Sequence, residues 1–161
     1  MKIAVISDTH MGDPASWLDD VYAKWLGPAD VLIHCGDITT VTTWSYFMQH
    51  ENFICVRGNC DWDPQLVDQL KPMQTVKIGS LTVGATHGWG PRPQVALKVA
   101  QAFGPEYDLV CYGHTHKRDW SVVEGVQLLN PGSLGEFGSL AIVTVDEDDS
   151  LTCEFIDAHC F

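Results

Sequence analysis

Short apolar runs recur along the chain, and each stops abruptly at residue types that bind metals. Ile3-Ala4-Val5-Ile6 has no polar alternation, as in a fully buried strand, and ends in Ser7-Asp8-Thr9-His10. Asp30-Val31-Leu32-Ile33-His34 runs into Cys35-Gly36-Asp37, and Phe53-Ile54-Cys55-Val56 runs into Arg57-Gly58-Asn59-Cys60-Asp61. Residues 75–78 and 81–85 read as a hairpin joined by Gly79-Ser80, and its second strand ends in Thr86-His87-Gly88. A further strand over 108–112 ends in Gly113-His114-Thr115-His116.

Helical patterns separate these strands. Over 13–26, Asp13 can cap, Pro14 suits a first turn and Gly27-Pro28 stops the element, while Trp17, Val21 and Trp25 share a core-facing side. Residues 40–49 and 92–103 also read as helices, and 65–70 as a short helix or turn. After His116 the pattern changes to strands over 120–123, 126–129, 140–145 and 151–156, with turns and no helices between them. The Asp146 to Asp149 run reads as a solvated hairpin turn. βα units followed by a β meander predict an α/β fold of two packed mixed sheets with helices outside.

The 161 residues suit one domain, 1–161, with a sizeable core. Apolar runs are too short to span a bilayer, so no membrane partner is expected. Lys2 leads straight into a strand and not into a signal peptide, which predicts a cytoplasmic protein whose six cysteines are reduced thiols. There is no Cys-x-x-Cys pair to make a zinc ribbon or redox motif. A net charge of −12 argues against a nucleic-acid-binding face.

The polar strand ends together supply Asp8, His10, Asp37, Asn59, His87, His114 and His116. Burying a lone carboxylate or imidazole is costly, so their recurrence at apolar strand ends calls for a shared partner. Seven ligand residues are too many for one tetrahedral ion but suit two ions sharing a bridging carboxylate.

The motifs Asp8-Thr9-His10, Gly36-Asp37, Gly58-Asn59-Cys60-Asp61, His87-Gly88 and Gly113-His114-Thr115-His116 resemble, in order and over nearly the whole chain, the calcineurin-like metallophosphoesterase superfamily. The small size, the Gly-Asn-Cys-Asp form and Asn130-Pro131-Gly132-Ser133 look like its compact YfcE-like phosphodiesterase group. The resemblance implies a four-layer α/β/β/α sandwich. It also implies one metal on Asp8, His10 and His116, a second on Asn59, His87 and His114, and Asp37 bridging them. The ions would be divalent, Mn²⁺ first, with Ni²⁺, Zn²⁺ or Fe²⁺ as alternatives. A metal-bridging hydroxide would attack the phosphorus of a small phosphodiester or phosphomonoester in line.

Asn59, Cys60, Asp61 and His114 are the candidate catalytic residues by this resemblance. The Asn59 amide could bind a metal through oxygen and reach the phosphate through nitrogen. Many relatives carry His where Cys60 stands, there to protonate the leaving group; Cys60 is a different acid or a small buried filler, and activated leaving groups should be the easiest substrates. Asp61 is expected to orient a donor or a water on the phosphate side. Relatives often carry a basic residue shortly after Asn-Pro-Gly-Ser, where this chain has Leu134-Gly135-Glu136-Phe137, so the resemblance does not carry an anion contact over to that loop.

Other residues have weaker expectations. Arg57 would pair with a carboxylate near the site, and His34 would lie behind it or in the core. Trp89 packs into the core or walls the substrate, with the core preferred. His50 and His159 read as surface residues, and Asn130 to Ser133 as a structural turn beneath the metals. Edges of the terminal meander would offer surfaces for a homo-oligomer. The alternative function is a non-catalytic scaffold resembling the superfamily's retromer subunit, which has lost part of its metal set. A nuclease is disfavoured by the acidic charge.

Overall fold

The computed structural model describes residues 1–158, so His159 lies outside the described residues. The apolar runs form the strands β1 (Lys2–Ile6), β2 (Val31–His34), β3 (Phe53–Cys55), β4 (Met73–Ile78), β5 (Leu81–Thr86), β6 (Leu109–Cys111), β7 (Arg118–Val123), β8 (Val126–Pro131), β9 (Ser139–Val145) and β10 (Leu151–Asp157). They make two five-stranded sheets, ordered β10-β9-β1-β2-β3 and β4-β5-β6-β8-β7. β1, β2 and β3 are parallel in the first sheet, as are β5, β6 and β8 in the second. Each sheet also carries antiparallel strands, so both are mixed.

Strand alternation explains the layering. Ile3 and Val5 face the second sheet, in one cluster with Val83, Ala85, Leu109 and Leu129. Ala4 and Ile6 face the other way, towards Leu18, Val21, Phe47 and Leu66. Those four come from the helices α1 (Trp17–Val21), α2 (Val41–Phe47) and α3 (Pro64–Gln69). Helix α4 (Val95–Phe103) covers the outer face of the second sheet, with Val95, Val99 and Phe103 against Val110 and Leu128. The order of layers is therefore α/β/β/α, as expected. Among the described residues no helix is long and apolar enough to cross a membrane.

Three expectations need correction. The first helix begins at Trp17 and not at Asp13: Ser16 makes no side-chain cap, and i→i+3 hydrogen bonds at Leu18 and Asp19 open the turn. It then widens into a π-helical stretch over Tyr22–Leu26, closed by Gly27 N–H to Tyr22 O at 2.8 Å. Second, the last four strands are not one meander. β7 and β8 complete the second sheet, whereas β9 inserts beside β1 and carries β10 to the edge of the first. Alternation marks which residues face inward, but both sheets share that inner core, so it cannot assign a strand to one of them. Third, this crossing contains a single-turn helix, α5 (Leu134–Phe137), capped by the Ser133 hydroxyl accepting from Glu136 N–H.

Candidate metal centre

The parallel strands β1, β2 and β3, with β5 and β6, end at one edge of the sandwich, where open α/β sheets place their sites. All seven predicted ligands meet there through a continuous series of contacts. His116 Nε2 stands 3.1 Å from Asp8 Oδ1. His10 Nε2 lies 3.7 Å from that oxygen and 3.6 Å from Asp37 Oδ2. His87 Nε2 lies 3.3 Å from Asp37 Oδ2. The His87 and His114 rings are 5.2 Å apart, and His114 Nδ1 is 3.0 Å from Asn59 Oδ1.

Each carboxylate is held by one oxygen and presents the other. Asp8 Oδ2 accepts from the Ser7 hydroxyl at 2.5 Å and His114 N–H at 3.1 Å. Asp37 Oδ1 accepts from Cys60 N–H at 2.7 Å. Three imidazoles are oriented in the same manner. Nδ1–H of His87 donates to Cys35 O at 2.7 Å, Nε2–H of His114 to Gly90 O at 3.1 Å, and Nδ1–H of His116 to Glu136 Oε2 at 2.7 Å. An oxygen acceptor fixes the proton on that nitrogen, which leaves the other nitrogen with a bare lone pair. In the neutral rings those lone pairs face Asp37 Oδ2, Asn59 Oδ1 and Asp8 Oδ1, so a proton or a metal cation must lie between acceptor and acceptor.

A metal cation held between these groups would take the place of such a proton, and burial raises the cost of leaving them unmet. Among the described residues three buried side-chain polar atoms lack a hydrogen-bond partner, and two of them are Asp8 Oδ1 and His87 Nε2, within 3.9 Å of each other. Leaving such atoms unmet costs roughly 1–3 kcal/mol apiece. The mixed N/O donor set fits divalent transition ions, and Asp8, His10 and His116 form one three-donor group while Asp8, Asp37 and His87 form another.

The backbone is bent to aim these side chains. Eight non-glycine residues among the described ones have positive φ, and five of them are Asp8 (53°), His10 (46°), Asp37 (57°), His114 (68°) and His116 (58°). Such conformations cost of order 1–3 kcal/mol each and persist where the surroundings over-determine them. The loops can approach only because glycines line them. A Cβ at Gly58 would collide with Asp37, and one at Gly113 would collide with the Ser7 hydroxyl and lie 2.7 Å from Asp8 Oδ2.

Charge balance follows the geometry. Burial favours a neutral Asp8, but the imidazoles of His10, His116 and His87 and the Ser7 hydroxyl outweigh it and hold its carboxyl well below the usual range. Asp37 is likewise lowered, against its burial, by His87 and Cys60 N–H. Asp8, with Glu136 adding to it against partial burial, pushes His116 up to about 9. His10 is raised chiefly by Asp8. His87 is raised by Asp37 and Asp8 although burial opposes it.

Residues around the ligands divide into expected and unexpected. His34 is buried, with Nδ1 accepting from Gly36 N–H and Nε2 meeting the Thr9 hydroxyl, so it braces the turns that present Asp8 and Asp37. Burial depresses it to about 3, and it stays neutral. Asn130 and Pro131 do not lie in a turn but end β8, and the chain turns only after them; Asn130 is buried and donates to Gly113 O, and the Ser133 hydroxyl donates to Asp8 O. Asp61 is buried. Its two oxygens accept from Asp37, Gly58 and Thr39 N–H at 3.0, 2.6 and 2.7 Å, so it clamps the Asp37 turn to the Gly58 turn. The Cys60 thiol is partly buried and lies with His10 and Asp37 in one donor group. Burial and the Asp37 charge push it up to about 11, so it holds its proton at neutral pH.

Three weaker expectations fail. Arg57 donates to Val67 O and not to a site carboxylate. His50 is buried, bridging Ala29 O and Asn52 N–H. Trp89 is not in the core but 42% exposed. Glu136 was missed altogether, because its contact with His116 spans 20 residues and arises from a helix too short to leave a periodic signal.

Comparison with known proteins bears on this geometry. The sequence model of the calcineurin-like phosphoesterase superfamily domain matches residues 1–148. A probable metallophosphoesterase of Bacillus subtilis, YsnB, is 31% identical over 98% of this chain and 91% of its own length. Phosphodiesterase MJ0936 of Methanocaldococcus jannaschii is 32% identical over 82% of this chain and 83% of its own. Among solved structures, a single mutant of Vps29 from Entamoeba histolytica superposes with a TM-score of 0.71 at 23% identity, over 98% of this chain and 99% of that one. The last likeness is one of fold.

Proposed function

The chain belongs to the calcineurin-like phosphoesterase superfamily, and from that premise we propose that it is a two-metal phosphodiesterase acting on small phosphodiesters and activated phosphomonoesters. The observation that carries the reading is the set of inward ligand atoms: Asp8 Oδ1 and His87 Nε2 buried without hydrogen-bond partners, with His116 Nε2, His114 Nδ1 and Asp37 Oδ2 beside them. In this reading Asp8, His10 and His116 would hold one ion and Asn59, His87 and His114 a second, with Asp37 shared between them. Mn²⁺, Ni²⁺, Zn²⁺ and Fe²⁺ all suit such donors. Divalent ions held by these residues would supply positive charge for the phosphate oxygens and lower the pKa of a bound water.

The chain's own residues do the rest. Asp61 and Glu136 keep Asp37 and His116 in place through the contacts above. Asn59 Nδ2, now donating to Cys60 Sγ at 3.3 Å, is a donor that a phosphate oxygen could claim. Cys60 keeps a proton on Sγ, and a thiol pushed up to about 11 is a weak donor to a leaving alkoxide. Esters with good leaving groups, which need little protonation, are the favoured substrates.

The rival reading is a non-catalytic scaffold on the same fold. Comparing wild type with Asp37→Ala on bis(p-nitrophenyl) phosphate separates the two. Hydrolysis that is lost in the folded variant supports the enzyme. Absence of hydrolysis in the folded, metal-supplied wild type would favour the scaffold.

A further inference from the structure

The surface aromatic residues are not scattered. Of the Phe, Trp and Tyr residues described, only Trp62, Trp89 and Phe137 are exposed, at 79%, 42% and 55%. Trp62 and Trp89 lie on the turns that carry candidate ligands, and Phe137 ends the short helix α5 that supports one. Trp62 follows Asn59 by three residues, and its indole N–H donates to Asn59 O at 2.5 Å, which fixes the ring against that turn. Trp89 follows His87 by two, between Gly88 and Gly90 at φ +91° and +85°, and Gly90 O is the acceptor that orients His114. Phe137 follows Glu136, the partner of His116. Exposing three large rings has a hydration cost and gives the fold no packing in return. In a chain this size, random placement would not gather all of them at one sheet edge.

We propose that Trp62 and Trp89, with Phe137 next to the Glu136 that supports His116, form a stacking subsite for the planar base of a nucleotide-sized phosphodiester. This rests on the phosphoesterase reading above and names its substrate class. Indole faces stack on any base without needing a hydrogen-bond code, and they do so beside the ions that would hold the phosphate. A long polyanion is the wrong occupant, because the chain carries a net charge of −12. The substrate is therefore a small nucleoside phosphodiester, with its phosphate at Asp37 and its base between the turns of Asn59 and His87.

The test compares two esters with one leaving group, thymidine 5′-(p-nitrophenyl phosphate) and methyl p-nitrophenyl phosphate, using metal-loaded protein. The expected ratio of kcat/KM favours the nucleoside ester on the order of tenfold, the effect of one stacked base. That ratio falls towards one in Trp62→Ala and Trp89→Ala and is kept in Trp62→Phe and Trp89→Phe. Damage to the metal turns lowers both substrates alike and leaves the ratio unmoved. Equal kcat/KM for the two esters in the wild type would overturn the inference while leaving the phosphoesterase reading intact. If neither ester is cleaved, tryptophan fluorescence decides: thymidine 5′-monophosphate should quench it and ribose 5-phosphate should not, with the quench lost in the Trp62→Phe/Trp89→Phe double variant. No quench, or an undiminished one in the double variant, would overturn it.

Discussion

Glu136 accepts a 2.7 Å hydrogen bond from Nδ1 of His116, and the opposite nitrogen of the same ring stands 3.1 Å from Asp8 Oδ1. A carboxylate behind an imidazole fixes its tautomer and strengthens its lone pair, and losing such a partner typically costs about 10–100-fold in metal affinity. Glu136→Gln should therefore weaken binding of one ion by about that factor, read by calorimetric titration of chelated protein. The rate at saturating metal should change far less, because the amide can still accept from Nδ1–H.

Asp61 offers a test of position as distinct from chemistry. Three main-chain amides converge on its buried carboxylate, and hydrogen bonds to a charged group contribute about 1.5–3 kcal/mol each. Asp61→Ala strands all three donors, and urea unfolding should show a loss of at least about 3 kcal/mol together with weakened metal binding. Asp61→Asn keeps one acceptor oxygen and should fall between wild type and alanine.

Gly113→Ala would push a methyl group into the Ser7 hydroxyl and to within 2.7 Å of Asp8 Oδ2. Overpacking of this kind costs about 1–3 kcal/mol. The variant should fold, lose about that much stability and bind metal more weakly than Glu136→Gln, since it displaces a ligand and not its support. Denaturant titration and calorimetry on the same preparation read both effects.

The site also sets the pH dependence. The lowered Asp8 adds stability above its unfolded value and loses it as pH falls through the folded one. His116, raised from 6.5 to about 9, adds stability that is full below 6.5 and lost as pH rises to about 9. Chelated protein should therefore melt at progressively lower temperature across that window. A divalent ion competes with the proton for the same imidazole, so the stabilisation by added metal should grow over the same range. Melting curves with and without chelator, from about pH 6 to about pH 9, should diverge; parallel curves would contradict the arrangement.

What the sequence showed and hid follows from the range of each interaction. Asp8, Asp37 and Asn59 were legible because each ends an apolar run within a few residues of a glycine, and a local pattern carries that information. The layers were legible for the same reason, through the alternation of Ile3 and Val5 with Ala4 and Ile6. Glu136 was not, since an exposed glutamate on a one-turn helix looks like any solvated residue until the chain closes on His116. Nor was the outward face of Trp89, because an indole two residues past a buried histidine suits a core equally well. The left-handed backbone at Asp8, His10, Asp37, His114 and His116 leaves no mark in residue types chosen as ligands. The division of the last four strands between two sheets depends on a crossing through α5 that alternation cannot report.

The most direct measurement is the rate of bis(p-nitrophenyl) phosphate hydrolysis as Mn²⁺ is added stepwise to chelated protein, at protein concentrations well above the dissociation constant. A two-ion centre built on these seven residues predicts a rate that climbs to a sharp plateau at two equivalents per chain and stays at background in Asp37→Ala. A plateau at one equivalent, or no hydrolysis at any ratio in folded protein with Mn²⁺, Ni²⁺, Zn²⁺ or Fe²⁺, would contradict it.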